Sequence, residues 1–187
     1  MALEQNLILN LPFDEANGSN VAYDFASNRH DAEITGCPFV AGKQGNCIRF
    51  PGEGYAEIPA DIIPLTGAFT ILAWIRPNTY ADGTTARRIG LFCNTAQLDG
   101  SREMWIEVAP EGWYYLCVRK LGNIVTLFLD TQQIGSITLP GALTGIALLQ
   151  DVYGTEYAYA DVDEVKVYNV ALSDNDIAES LNNVSQL

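Results

Sequence analysis

The sequence predicts an all-β fold: a two-sheet antiparallel jelly-roll sandwich with a short C-terminal helix, formed by residues 1–187 as one domain. Three observations lead there. Short apolar or alternating runs recur along the chain, separated by clusters of Gly, Pro, Asn and Asp, as in a sandwich or jelly roll. The 16 glycines, 9 tyrosines and 7 phenylalanines suit strands joined by many turns. Helical spacing of apolar residues emerges near the C-terminus, after the last strand-like run.

Leu7 to Phe13 reads as a first strand, ended by the polar run Asp14-Glu15-Ala16-Asn17-Gly18. Ala32 to Ile34 is short. Cys47 to Phe50 and Tyr55 to Ile58 flank the turn Pro51-Gly52-Glu53-Gly54. Phe69 to Arg76 is long and closed by Pro77-Asn78, and Ile89 to Cys93 follows. Glu103 to Val108 and Trp113 to Lys120 are expected to pair as a hairpin. A three-residue loop with Gly112 left-handed brings Met104, Ile106 and Val108 to the core face with Tyr114, Leu116 and Val118. Trp105 and Tyr115 then share the opposite face with Glu103, Glu107, Cys117 and Arg119. Ile124 to Leu129, Ile134 to Leu139, Ile146 to Gln150 and Val162 to Tyr168 complete the strands. Ser173 and Asp176 form a variant capping box, and Ile177, Ala178 and Leu181 lie at helical spacing, so a helix is expected from about Asp174 to Asn182.

Composition limits the partners. At 48% hydrophobic and 18% charged residues the chain is globular rather than disordered. Ten basic against 23 acidic residues give a net charge of −13. That charge disfavours nucleic acid and anionic membrane surfaces. It serves solubility, or in part supplies carboxylates to a cation. No apolar run approaches the ~20 residues of a membrane span. The start, Met1 to Asn6, lacks the basic and apolar regions of a secretory signal, which points to cytoplasmic synthesis or to carriage on a particle. Cys37, Cys47, Cys93 and Cys117 show no C-x-x-C spacing and are expected to be buried thiols, with Cys93 and Cys117 the pair most able to meet.

The order of motifs resembles the laminin-G-like jelly roll of the concanavalin A-like lectins and glucanases. An L-x-x-x-x-F-D-like strand is seen at Leu9 to Asp14, and a D-x-S-G-N-x-x-D-G-like loop at Asp24 to Ala32. Gly42 to Phe50 matches G-x-x-G-x-A-I-x-F, and Phe69 to Pro77 matches F-T-I-x-A-W-I-x-P. Gly112 to Leu116 fits G-W-x-x-L. Leu127 to Asp130 fits L-Y-V-D-G, with Thr131 in place of Gly. Val162 to Ser173 resembles I-D-E-V-x-I-Y-N-x-A-L-S. The resemblance implies the fold; lectins, adhesion modules, enzymes and scaffolds share it.

Calcium is the one cofactor suggested. Asp24, Asn28, Asp31 and Asp163 offer hard oxygen ligands from one loop and from the last strand, which members of this family often tie together. The competing reading is that Asp24 and Asn28 cap turns. Glu103-Met104-Trp105-Ile106-Glu107 hints at a jelly-roll glucanase or lyase, but Trp105 stands where the central Asp would be. The two glutamate Cα atoms are ~13 Å apart at ~3.3 Å per residue, against ~5 Å between the carboxyls of a retaining pair. The same face reads better as a binding surface. Trp105 and Tyr115 can stack on sugar rings, and Glu103, Glu107 and Arg119 can bond hydroxyls. Asp163 and Glu164 point to opposite faces of a regular strand and cannot act on one substrate. Trp74 belongs to the core, and Arg87-Arg88 is a solvated pair.

The sequence thus favours a non-catalytic module that recognises a glycan or cell-surface ligand. The alternative is a structural or decoration protein of a larger assembly such as a bacteriophage virion, suggested by a free-standing domain with its own Met1.

Overall fold

The computed structural model describes residues 2–58, 62–79, 88–95, 101–148 and 159–184. Short elements come first: helix α1 (Ala2–Gln5) and strands β1 (Leu7–Leu11), β2 (Val21–Ala22), β3 (Ala32–Thr35), β4 (Phe39–Ala41), β5 (Asn46–Pro51) and β6 (Tyr55–Glu57). Longer strands follow: β7 (Phe69–Pro77), β8 (Arg88–Thr95), β9 (Ser101–Glu107), β10 (Tyr114–Leu121), β11 (Ile124–Leu129), β12 (Gln132–Thr138), β13 (Leu143–Leu148) and β14 (Tyr159–Tyr168). Helix α2 (Asp174–Val184) closes the chain. Arg87 and Gln150 lie outside the described residues.

One layer is a large antiparallel sheet in the order β12-β11-β10-β7-β14-β5-β4. Its β14 is flanked on the second side by β5 along residues 159–162 and by β1 along 165–168. The facing layer consists of two three-stranded sheets, β13-β8-β9 and β2-β3-β6. A common core joins the layers: Phe69, Ile71, Ala73, Ile75, Leu116 and Val118 from the large sheet meet Ile89, Leu91, Cys93, Ala32 and Ile34 from the small ones.

The large sheet is buried on its outward face as well. There Leu72, Trp74, Tyr115, Cys117, Phe128 and Tyr168 pack beneath Leu172 and Ile177. This second core explains why Phe69 to Pro77 reads as a continuous apolar run: β7 is central and covered on both sides. Helix α2 is fixed by its cap. The Ser173 N–H and hydroxyl donate to Asp176 Oδ2 at 3.0 and 2.6 Å, and the Asp176 N–H donates to Ser173 Oγ at 3.2 Å.

Two corrections to the expected topology matter for the site. Strand β9 does not form a hairpin with β10. It pairs β8, whereas β10 pairs β7 and β11. The link between them passes from one layer to the other. Its left-handed residue is Glu111 (φ 62°), not Gly112, and the Glu111 N–H donates to Pro77 O at 2.8 Å, tying the link to the end of β7. Secondly, Cys93 lies in the central core and Cys117 in the second core, so these thiols do not face each other. All four cysteines are buried and free. Burial pushes the Cys37 and Cys93 thiols up to about 11. It pushes the Cys47 and Cys117 thiols up to about 12.

Candidate binding surface

Strand β9 alternates as its sequence implies. Met104, Ile106 and Val108 pack against the central core, and Glu103, Trp105 and Glu107 are exposed on the outward face. Trp105 retains 42% of its surface, and its Nε1–H donates to Glu103 Oε2 at 3.3 Å. Directly across the β8–β9 ladder from Trp105 stands Gly90.

The structure does not bring Tyr115 and Arg119 to that face. Both point outward from β10, which belongs to the opposite layer. Tyr115 is 2% exposed and stacks at a tilt on Trp74, with ring centroids 5.2 Å apart. Its hydroxyl donates to Ser180 Oγ at 2.9 Å beneath α2, and burial raises its pKa. Arg119 lies over the Phe128 ring at 4.6 Å and donates to Leu172 O at 2.9 Å and Asp174 Oδ1 at 2.6 Å. Both residues fasten the C-terminal segment to the large sheet.

The metal candidates do not gather either. Among the described residues no three His, Cys, Asp or Glu side chains are grouped to hold an ion. Asp24 is fully committed to backbone donors: Oδ1 accepts the Asn10 and Ala26 N–H groups at 2.8 Å, and Oδ2 the His30 N–H at 2.7 Å. Asp31 Oδ1 accepts the Asp24 N–H at 2.9 Å, and Asn28 is exposed. Asp163 sits elsewhere, holding the turn after β4 by accepting the Lys43 and Gln44 N–H groups at 2.8 and 3.0 Å. Asp24, Asp31 Oδ1 and Asp163 Oδ2 act as turn caps, whereas Asp163 Oδ1 has no hydrogen-bond partner.

Asp163 and Asp161 occupy adjacent positions on the outward face of β14, opposite Trp74 and Arg76 of β7. Asp163 is wholly buried and its Oδ1 has no hydrogen-bond partner. Burial raises its pKa to about 7, against the opposing pull of the Gln44 and Lys43 N–H groups and with a smaller upward push from Glu164. Glu164 is left-handed (φ 51°) and forms a bulge, so the regular alternation that would separate Asp163 from Glu164 breaks here.

Asp161 is the buried residue whose role the sequence did not reveal. Arg49 Nε and Nη2 donate to it at 2.7 and 2.9 Å, Arg76 Nε at 3.0 Å and Asn78 Nδ2 at 2.8 Å, and Arg76 Nη2 also contacts it. Burial alone would raise its pKa, but these donors hold it below the usual value. Arg76 in turn lies over Trp113, 4.8 Å from the ring centroid. The sequence signal was a pair of arginines near the ends of two apolar strands, Ile48-Arg49-Phe50 and Ile75-Arg76-Pro77.

Comparison with known proteins agrees with this architecture. Residues 94–178 match the family model Laminin_G_3, of the concanavalin A-like lectin/glucanases superfamily. No curated protein matches the chain in sequence. Among solved structures, the chain superposes on the binding domain of Paraclostridial Mosquitocidal Protein 1 with a TM-score of 0.68 at 17% identity, covering 98% of this chain and 53% of that one. The binding domain of botulinum neurotoxin serotype D/C gives 0.70 at 10% identity, covering 97% and 53%. A structure of botulinum neurotoxin type C, whose cell entry depends on interaction with two ganglioside molecules, gives 0.69 at 12%, covering 98% and 52%. The chain spans about half the length of these structures. It has a jelly-roll fold like that of these toxin binding domains, and its residues 94–178 match the laminin-G-like model of the concanavalin A-like superfamily.

Proposed function

We propose that this chain is a non-catalytic binding module whose contact surface for a glycan or cell-surface ligand is the outward face of β9. The observation that carries this reading is Trp105, a large aromatic residue 42% exposed on a strand and flanked on the same face by Glu103 and Glu107. An exposed indole beside hydrogen-bonding carboxylates suits a sugar ring, whose C–H face stacks while its hydroxyls donate. Similar folds occur in binding domains named for ganglioside, sialylated-sugar and synaptotagmin complexes, which supports a recognition role, although those chains are about twice as long.

The acid chemistry supports the non-catalytic part. The Cα atoms of Glu103 and Glu107 are ~13 Å apart along the strand, beyond the ~5 Å carboxyl spacing of a retaining glycosidase. Asp161 is occupied by two arginines, and Asp163 is buried beneath a turn.

The test is a glycan array with the native chain and Trp105→Ala. The reading expects glycan retention by the native chain, its loss in the variant, and an unchanged fold. A variant that instead shifts to a smaller species in size-exclusion chromatography makes β9 an assembly surface. Release of reducing sugar from any polysaccharide, abolished by Glu103→Gln, overturns the non-catalytic reading.

A further inference from the structure

The β2-β3-β6 sheet carries a second group of exposed aromatic side chains, apart from Trp105. Tyr23 and Tyr55 are 49% and 50% exposed, and Phe25 is 64% exposed. Ala22 and Asp24 are buried, so Val21, Tyr23 and Phe25 alternate with them on the outward side. Ala32, Ile34 and Ala56 turn to the core, which puts Glu33, Thr35, Tyr55 and Glu57 outward as well. The aromatic segment is braced. The Tyr23 N–H donates to Glu15 Oε1 at 2.8 Å, the Asp24 N–H to Asp31 Oδ1 at 2.9 Å and the Phe25 N–H to Asn10 O at 2.8 Å. Three consecutive residues are thus fixed before any partner arrives, and that lowers the ordering cost of binding.

Two carboxylates lie between the tyrosines. Glu33 of β3 and Glu57 of β6 stand directly opposite each other, and both are exposed. Like charges at facing positions of an antiparallel pair destabilise it. Among the described residues neither carboxylate is in an ion pair. Val21 is the other neighbour of Glu33, and Tyr23 lies two positions beyond it; Tyr55 lies two positions before Glu57. The rows of Tyr23 and Tyr55 are therefore four residue positions apart, ~13 Å at ~3.3 Å per residue, with the acidic row midway.

We infer that the outward face of β2-β3-β6 docks an extended segment of another protein that carries arginine or lysine. A cation set over Glu33 and Glu57 removes their repulsion, and the flanking tyrosine rings take its charge or its apolar stem. A single ammonium group covers only part of ~13 Å, whereas an extended chain with side chains at alternate positions covers all of it. A second copy of the same face would bring further carboxylates against Glu33 and Glu57, so self-association does not supply the counter-charge. The net charge of −13 draws a basic segment towards the chain. None of this depends on the reading of β9.

The experiment follows a fluorescein-labelled octapeptide of alternating arginine and serine by fluorescence anisotropy. Peptides with citrulline or glutamate in place of arginine are the controls. Each is titrated with the native chain, Glu33→Gln/Glu57→Gln and Tyr23→Ala/Tyr55→Ala at low and high salt. The native chain should bind the arginine peptide in preference to both controls, and more weakly at high salt. The glutamine variant should bind it about tenfold more weakly. The alanine variant keeps the net charge, so general attraction to an acidic protein survives in it, yet it should still lose several-fold in affinity. The glutamine variant should also melt no lower than the native chain, because it sheds a repulsion. A native chain that does not prefer the arginine peptide, unchanged affinity in either variant, or a lower melting temperature in the glutamine variant overturns the inference.

Discussion

Asp161 and Asp163 stand two positions apart on β14, on one face, and titrate in opposite directions. Asp163 is raised, so the native state holds its proton more tightly than the unfolded chain does. Its stabilising contribution is complete below the ordinary value of 3.8 and is lost as pH rises through about 7. Asp163→Asn keeps an acceptor for the Lys43 and Gln44 N–H groups without a titrating charge. Thermal melts should show the variant level with the native chain near pH 4 and more stable at pH 8 by about 2–4 kcal/mol. A native stability that does not fall between those pH values, relative to the variant, would contradict the assignment. Asp161 is lowered, so its contribution is present above 3.8 and lost as pH falls through its native value. Asp161→Asn leaves Arg49 and Arg76 without their counter-charge, and denaturant titration at pH 7 should show a loss of about 2–4 kcal/mol. Thr131 supplies a third residue-scale test. It follows Asp130 in the β11–β12 turn, and both are left-handed (φ 48° and 69°), a conformation that a β-branched residue adopts at a cost. Thr131→Gly should stabilise the fold by about 1 kcal/mol in the same assay.

Among the elements, legibility followed range. Strand β11 spans Ile124–Leu129 as its sequence implies, and α2 starts at Asp174 because its cap is local, Ser173 to Asp176. Disrupting that cap with Ser173→Ala should cost about 1 kcal/mol, read from the melting temperature. The bulge in β14 was not foreseen, since regular alternation was expected through Asp163 and Glu164. Val162, Val165 and Val167 all turn to the core, and the three-residue step between the first two marks an extra residue. Pairing was a different matter. Alternation correctly placed Met104, Ile106 and Val108 inward, and Tyr114, Leu116 and Val118 as well. It says nothing of which layer a strand joins, and a short Pro-Glu-Gly link looks the same whether it turns a hairpin or crosses the sandwich. The decisive interaction, Glu111 N–H to Pro77 O, links segments more than 30 residues apart. Short strands β2 and β4 were missed for a related reason: two or three residues carry no period, and only pairing with β3 and β5 makes them strands.

At the scale of the molecule, the family-like acids proved to be anchors of the fold. Asp14 accepts the Asn46 N–H at 2.8 Å while Asp163 accepts those of Lys43 and Gln44, so two distant motifs grip one turn. A Cβ at Gly42 in that turn would lie 2.6 Å from Asp163 Oδ2, which explains the glycine. A carboxylate that caps a turn and one that ligates calcium look alike in a sequence, since both need an acidic residue in a loop. The candidate surface was half legible for the same structural reason as the hairpin. Glu103, Trp105 and Glu107 share one strand and hence one face, whereas Tyr115 and Arg119 were assigned there through a pairing that does not exist. The two groups lie on opposite outer sides of the sandwich, one open and one sealed by α2. Paired substitutions separate them most directly. Trp105→Ala and Tyr115→Phe are compared for glycan-array retention and for melting temperature. If the β9 face is the contact surface, Trp105→Ala should abolish retention with little change in stability. Tyr115→Phe should lose about 1 kcal/mol with the Ser180 hydrogen bond and retain the glycan. Loss of retention in Tyr115→Phe with retention intact in Trp105→Ala would contradict it.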